Sequence, residues 1–365
     1  MRTTQRVGNH RVGRVLATIG LSAGLVAGVA TIAAPAGAAP NNRYSVTNLV
    51  SDQAGVAQIT DPNLKNAWGL AAGPSTPIWV ANNHTDTSTV YPGGVSGSPI
   101  VGPALVVPID GGAPTGTVFN GTDGFMMPTA GAPASFIFDS ESGNITAWSS
   151  ADAASHALVM AHSDEANYKG LALAESRGAP YLYAANFETN AVDVYDSTIT
   201  LQHWDGAFID RRLPRNYAPF GIDAIGREIY VSYALHVPGN EDDTAGPHHG
   251  FIDVFGTNGK LHRRLVAHGA LDSPWGMTVA PRNFGPFSGA LLVGNFGDGR
   301  INAYDRHSGR LLGRLRDASG TPIAIQGLWA LEFGNGVTGA PNELLFSAGP
   351  DGEEHGLFGV IDVAS

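Results

Sequence analysis

A pattern of three short segments recurs along this chain and restricts its fold more than any other feature. Its clearest copy is Ser273-Pro274-Trp275-Gly276-Met277-Thr278-Val279, then Ala290-Leu291-Leu292-Val293-Gly294-Asn295, then Arg300-Ile301-Asn302-Ala303-Tyr304-Asp305. The first segment holds an aromatic-Gly pair, the second is apolar and ends in Asn, and the third alternates apolar with polar residues. Trp68-Gly69-Leu70, Lys169-Gly170-Leu171 and Phe220-Gly221-Ile222 open similar copies, and Thr117-Val118 and Trp329-Ala330-Leu331 fall within two weaker ones. The anchors Gly69, Gly116, Gly170, Gly221, Gly276 and Ala330 are 47, 54, 51, 55 and 54 residues apart. A period near fifty, with several short strands per unit, predicts an all-β chain folded as a six-bladed β-propeller. Each unit alone is a small sheet with two open faces, and stacking the units in a ring buries both.

The last copy ends near Val363 with no fourth strand after it, whereas Tyr44-Ser45-Val46-Thr47-Asn48-Leu49-Val50 precedes the first copy and alternates like a strand. Residues 44–50 are therefore expected to complete the last blade and close the ring. A single propeller domain is expected over residues 39–365. Ala151 to Ala166 is expected to form at most a helical turn or two, with Leu201 to Trp204 as an outer strand.

Residues 1–38 read as a secretory signal. Arg2, Arg6, Arg11 and Arg14 precede an apolar stretch from Val15 to Ala34, and Ala36-Gly37-Ala38 supplies the small residues of a cleavage site. The expectation is a secreted, extracytoplasmic monomer with no membrane span after cleavage. The chain has no cysteine, which excludes disulfides and thiol chemistry. Its formal net charge of −11, more negative still without the leader, argues against nucleic acid as a partner.

In a propeller the loops after the second strands converge at one mouth of the central channel. The candidate binding residues there are Asn82, His84, Asp139, Asn186, Glu188, Asn295, Asp298, Asp351 and His355. Asn82, Asn186 and Asn295 share one repeat position, and Asp139 is assigned to it in the second copy. Such a ring of oxygens suits a hard cation, and the same residues also cap turns at strand ends. Asn186, Asn295 and His355 are the candidate metal ligands, His84 is the expected neighbour of His355, and the candidate cofactor is a divalent cation (Ca²⁺, Mn²⁺ or Zn²⁺). His248-His249 with Glu241, Asp242 and Asp243 forms a second His/carboxylate group, readable as a metal cluster or as a solvated acidic loop. Trp68, Trp275 and Trp329 either stack on a ligand or wedge between blades. No nucleophile elbow, phosphate loop or zinc-protease motif is present.

The run Gly170-Leu171-Ala172-Leu173, Tyr181-Leu182-Tyr183-Ala184-Ala185-Asn186, Ala191-Val192-Asp193-Val194-Tyr195-Asp196 resembles NHL-type propeller repeats. Thr60 to Leu70, Ser273-Pro274-Trp275-Gly276 with Gly285 to Gly299, and Ala348-Gly349-Pro350-Asp351 with His355 to Gly359 resemble a family of uncharacterised exported bacterial propellers. That resemblance spans residues 44–363 and implies the fold and export, but no activity. A more distant similarity, to gluconolactonase and regucalcin propellers, implies a channel cation and lactone or ester hydrolysis. Those enzymes carry a Glu at the entry of the first inner strand, where this chain has Asn66-Ala67-Trp68-Gly69. The function expected is a binding module using the funnel face, with a protein, glycan or small molecule as ligand; the alternative is a metal-dependent hydrolase.

Overall fold

The computed structural model describes residues 42–364 apart from 153 and 154; the expected signal segment lies outside the described residues. Six sheets follow one another, each running from an inner to an outer strand. The inner strands are Ala67–Ala71, Pro114–Phe119, Tyr168–Ser176, Tyr217–Ile225, Pro274–Val279 and Leu328–Phe333. The second strands Ile78–Asn82, Phe136–Ser140 and Leu291–Asn295 are buried at every residue, because a neighbouring blade covers each face. Outer strands such as Leu105–Pro108 and Leu311–Arg314 are mostly exposed or half-buried. Among the described residues no helix is long and apolar enough to cross a membrane.

The ring closes as the repeat implies. Tyr44–Ser51 pairs antiparallel with Leu357–Val363 and becomes the fourth strand of the sixth blade. Tyr44 is fully buried, lies 5.0 Å from the Phe284 ring, and donates from its hydroxyl to the Phe284 carbonyl of the fifth blade at 3.1 Å. His355 Nδ1 lies 2.8 Å from Asp52 Oδ2, and Asp52 Oδ1 accepts from the Gly356 N–H at 3.0 Å. These contacts fasten the first described strand to the last.

Every inner strand bulges at its anchor. Registers slip between Ala67 and Leu70, Pro114 and Thr117, Tyr168 and Leu171, Pro219 and Ile222, Pro274 and Met277, and Leu328 and Leu331. The bulge brings the anchor against the next inner strand. A β-carbon on Gly69 would come 2.4 Å from Thr115 O, one on Gly221 2.2 Å from Trp275 O, and one on Gly276 2.5 Å from Trp329 O. The glycines are required because six strands crowd around one axis.

Alternate blades pin this bulge with a polar side chain. Asp139 Oδ1 accepts from the Gly116 N–H at 2.7 Å and from Thr115 Oγ1 at 2.8 Å. Ser232 Oγ accepts from the Gly221 N–H at 3.0 Å and donates to Pro274 O at 2.6 Å. Ser347 Oγ accepts from the Ala330 N–H at 3.1 Å and donates to Trp68 O. Ala81, Ala185 and Gly294 take this place in the other three blades.

Three local expectations are corrected. Pro114 faces Ser140 where Ala67 faces Asn82 and Pro274 faces Asn295, so Ser140 is the equivalent of those asparagines and Asp139 lies one residue earlier. The segment expected to form a helical turn contains the outer strand Leu158–His162, paired with Asn144–Trp148. The outer strand at Leu201 stops at Gln202, and the Trp204 ring lies edge-on to Tyr181 and Tyr183 instead.

Candidate functional site

The residue before each anchor decides what fills the channel. These residues are Trp68, Thr115, Lys169, Phe220, Trp275 and Trp329. Trp68 stacks on Trp329 with centroids 3.7 Å apart, and Trp275 lies edge-on to Trp329 at 5.8 Å and to Trp68 at 6.4 Å. Phe220 approaches Trp329 at 5.7 Å, and Phe296 stacks on Trp329 at 4.1 Å. Side chains from separate blades thus meet on the axis and plug it with aromatic rings. The indole N–H of Trp275 donates to Lys169 O at 2.6 Å, and that of Trp329 to Asn66 Oδ1 at 2.9 Å. The three tryptophans are packing residues of the plug.

Lys169 is the exception among the six. Its side chain is only 1% exposed, and its Nζ lies 5.6 Å from the Trp68 ring centroid. The ammonium pairs with Glu141 Oε1, from the turn of the second blade, and with Asp242 Oδ1 at 3.3 Å, from the long loop of the fourth. Burial alone would pull Lys169 down, but the Glu141 and Asp242 carboxylates outweigh it and hold the ammonium above the usual lysine range. Lys169 is therefore a fixed cation, not an amine nucleophile.

Around it polar groups arrive from other blades. Asn83 Nδ2 donates to Glu141 Oε2 at 2.9 Å, and Asn66 Nδ2 donates to Glu353 Oε2 at 2.7 Å. Burial pushes the Glu353 carboxyl up to about 7; Glu141 and Asp242 add to this, while the Asn66 hydrogen bond and Lys169 oppose it. Burial also lifts Asp243 to about 6, against the pull of its hydrogen bond from Ser273 Oγ. Above this floor opens a cavity of about 930 Å³, walled by Asn83, Glu141, Asn167, Glu188, Asp242 and Glu353 among others.

The opposite end of the channel is a second cavity of about 430 Å³, walled by the inner strands. Asp223 and Glu332 face it. Burial raises Asp223 to about 7, and burial together with the Asp223 charge raises Glu332 to about 8.

The structure divides the residues singled out in the sequence. His84 and Glu188 are exposed on the funnel wall. Asn82 is buried and donates to Thr87 Oγ1 at 3.1 Å and Thr89 Oγ1 at 3.0 Å. Asn186 donates to Asp193 Oδ2 at 2.9 Å, and Asn295 donates to Ala270 O and Asp298 Oδ1, both at 2.9 Å. Asp298 also accepts from Arg300. Asp351 is exposed in a left-handed turn conformation, φ 57°. His355 pairs with Asp52 and not with His84, and both amide atoms of Asn186 are engaged, whereas the buried Oδ1 of Asn295 has no hydrogen-bond partner among the described residues. Burial raises Asp139 to about 7, against the pull of Thr115 and Gly116, and it serves the bulge.

The paired histidines are local as well. His248 Nδ1 meets Gly269 O, and His249 Nδ1 meets Thr244 O at 2.9 Å, while the neighbouring acids turn to Lys169 and Ser273. Among the described residues no three His, Cys, Asp or Glu side chains gather closely enough to hold one metal ion. Sequence reasoning missed Lys169, Glu141, Asn66 and Asn167. The signal for Lys169 was present: one of three lysines in the chain stands where other copies carry an aromatic or Thr.

No family model matches the chain. Over 336 residues, 87% of its length, it is 33% identical to uncharacterized protein R648 of Acanthamoeba polyphaga mimivirus, covering 80% of that protein. It is 30% identical over 336 residues to uncharacterized protein L690 of the same virus, covering 87% of this chain and 85% of that one. These relatives are viral, where the resemblance in the repeats pointed to bacterial proteins. Among solved structures it is similar to virginiamycin B lyase from Staphylococcus aureus, with a TM-score of 0.49 and 10% identity over 88% of this chain and 99% of that one. A chain of the nidogen/laminin complex aligns with a TM-score of 0.44 and 15% identity over 78% of this chain and 84% of that one. The chain is a six-bladed β-propeller and belongs to the same family as the uncharacterized mimivirus proteins R648 and L690.

Proposed function

We propose that this propeller is an exported binding module whose ligand enters the cavity on the funnel face. The observation that carries the reading is the buried Lys169 beneath that cavity, held by carboxylates from two other blades. Burying a charge and its partners costs several kcal/mol, roughly, and adds little to stability over an apolar plug. Binding is favoured over metal-dependent hydrolysis because Asn186 and His355 already hold a local turn and the closing strand, and no three acid or histidine side chains converge among the described residues.

The test is a screen of the protein against glycan and peptide arrays beside a funnel variant, Asp164→Lys with Glu188→Lys. Both positions are exposed on the cavity wall, so the variant should fold. Ligands captured by the parent and lost by the variant support the reading. Ligands kept by this variant and lost by Glu332→Gln, at the other mouth, would overturn it.

A further inference from the structure

The funnel wall is one-sided in what it offers a ligand. Glu141, Glu188, Glu241, Asp242 and Glu353 reach it from four blades, and Asp164 and Glu165 come from the connection into the third. No lysine or arginine lines it, and its basic side chains are His84 and His162, the latter paired with Asp164 at 2.9 Å. Lys169 lies beneath, 1% exposed, with its charge committed to Glu141 and Asp242.

Two groups remain short of a donor. Among the described residues Glu353 has no ion pair and accepts only from the Asn66 amide. Asn167 is 8% exposed, lines the cavity, and gives its Nδ2 to Glu241 O at 3.2 Å. Its Oδ1 is buried with no hydrogen-bond partner. A buried acceptor without a donor costs about 1–3 kcal/mol and calls for an N–H or O–H from outside.

We propose that the funnel cavity takes an extended organic cation bearing two or more amino or guanidino groups, whose N–H donors go to Glu353 and Asn167. The inference rests on the funnel-binding reading above. A single metal ion fits poorly, since the carboxylates are spread around about 930 Å³ and no three acid or His side chains converge among the described residues. A chain of separated cationic groups matches that spread, and desolvated charge-assisted hydrogen bonds favour it. A small polyamine and a lysine- or arginine-rich segment of a protein present the same chemistry.

The experiment is calorimetric titration of the protein with spermidine and, separately, with a short lysine-glycine peptide, at pH 8.0 and pH 6.0 in low salt. At least one probe should bind saturably at pH 8.0, and up to about tenfold more weakly at pH 6.0, where Glu353 takes up its proton. Which probe binds more tightly separates the two sources. Glu353→Gln should weaken binding at least tenfold while melting at or above the parent temperature, so that lost binding is not lost folding. Failure of both probes at pH 8.0, undiminished binding by Glu353→Gln, or Ca²⁺ binding in place of both amines would each overturn the proposal. If an array ligand of another chemistry is lost on the Asp164→Lys, Glu188→Lys variant, the funnel reading survives this failure. If no ligand depends on the funnel, both fall.

Discussion

Gly221 and Gly170 occupy the same repeat position but not the same space. A β-carbon on Gly221 would meet Trp275 O at 2.2 Å, whereas one on Gly170 has its nearest atom, Phe220 O, at 3.2 Å. We expect Gly221→Ala to cost about 3 kcal/mol or more, because backbone must move, and Gly170→Ala to cost about 1 kcal/mol. Urea midpoints check this, and equal losses would refute the crowding argument. Lys169 is the other residue to change. Removing one partner of a buried ion pair costs roughly 3–5 kcal/mol. Asp242 is 70% exposed, so the expected loss for Lys169→Met is discounted to about 2 kcal/mol. The variant also leaves Glu141 and Asp242 without their cation. It should gain a thermal shift with Ca²⁺ or Mn²⁺ that exceeds any shown by the parent, and identical metal responses would show that Lys169 does not act as the resident cation.

At the level of strands, the closing element carries the most testable consequence. Deleting residues 42–52 removes the fourth strand of the sixth blade, the Tyr44 contact with Phe284, and the Asp52–His355 lock at its base. We expect the single cooperative melting transition to be lost or to fall by more than about 10 °C, and an unchanged transition would refute the role of closure. This strand was legible in the sequence, as were the inner and second strands, because period and alternation report burial between blades directly. What the sequence hid has physical reasons. In the second copy the apolar run ends at Asp139, as other copies end at Asn, but the strand continues to Ser140, which takes the place opposite Pro114. Outer strands such as Leu158–His162 are half-exposed and have weak alternation to announce them. The asparagines were visible, but their capping partners Thr87, Thr89, Asp193 and Ala270 are fixed only by the folded turns. Lys169 looked like one more repeat residue, since its partners lie 28 and 73 positions away.

Across the whole molecule, buried carboxyls set the response to pH. Burial pushes Asp139, Asp223 and Glu353 up to about 7, Glu332 to about 8 and Asp243 to about 6. Unfolded carboxyls titrate near about pH 4. Between these limits the native state holds more protons than the unfolded one, so stability falls as pH rises through this window. Asp196, Glu228, Asp305 and Asp317 are lowered by hydrogen bonds from neighbouring groups and act in the opposite sense. We expect melting at pH 5.0 to exceed that at pH 8.5 by at least about 5 °C, with Glu332→Gln reducing the difference; a higher melting temperature at pH 8.5 would contradict it. The pairing of Tyr44–Ser51 with Leu357–Val363 bears on the order of synthesis too. Apart from a two-residue parallel pairing with Ile59–Thr60, the first described strand to leave the ribosome must wait for residues 357–363 before it has a partner. Until then the growing chain carries an unmatched edge, and an incomplete product is a string of blades with no ring to join.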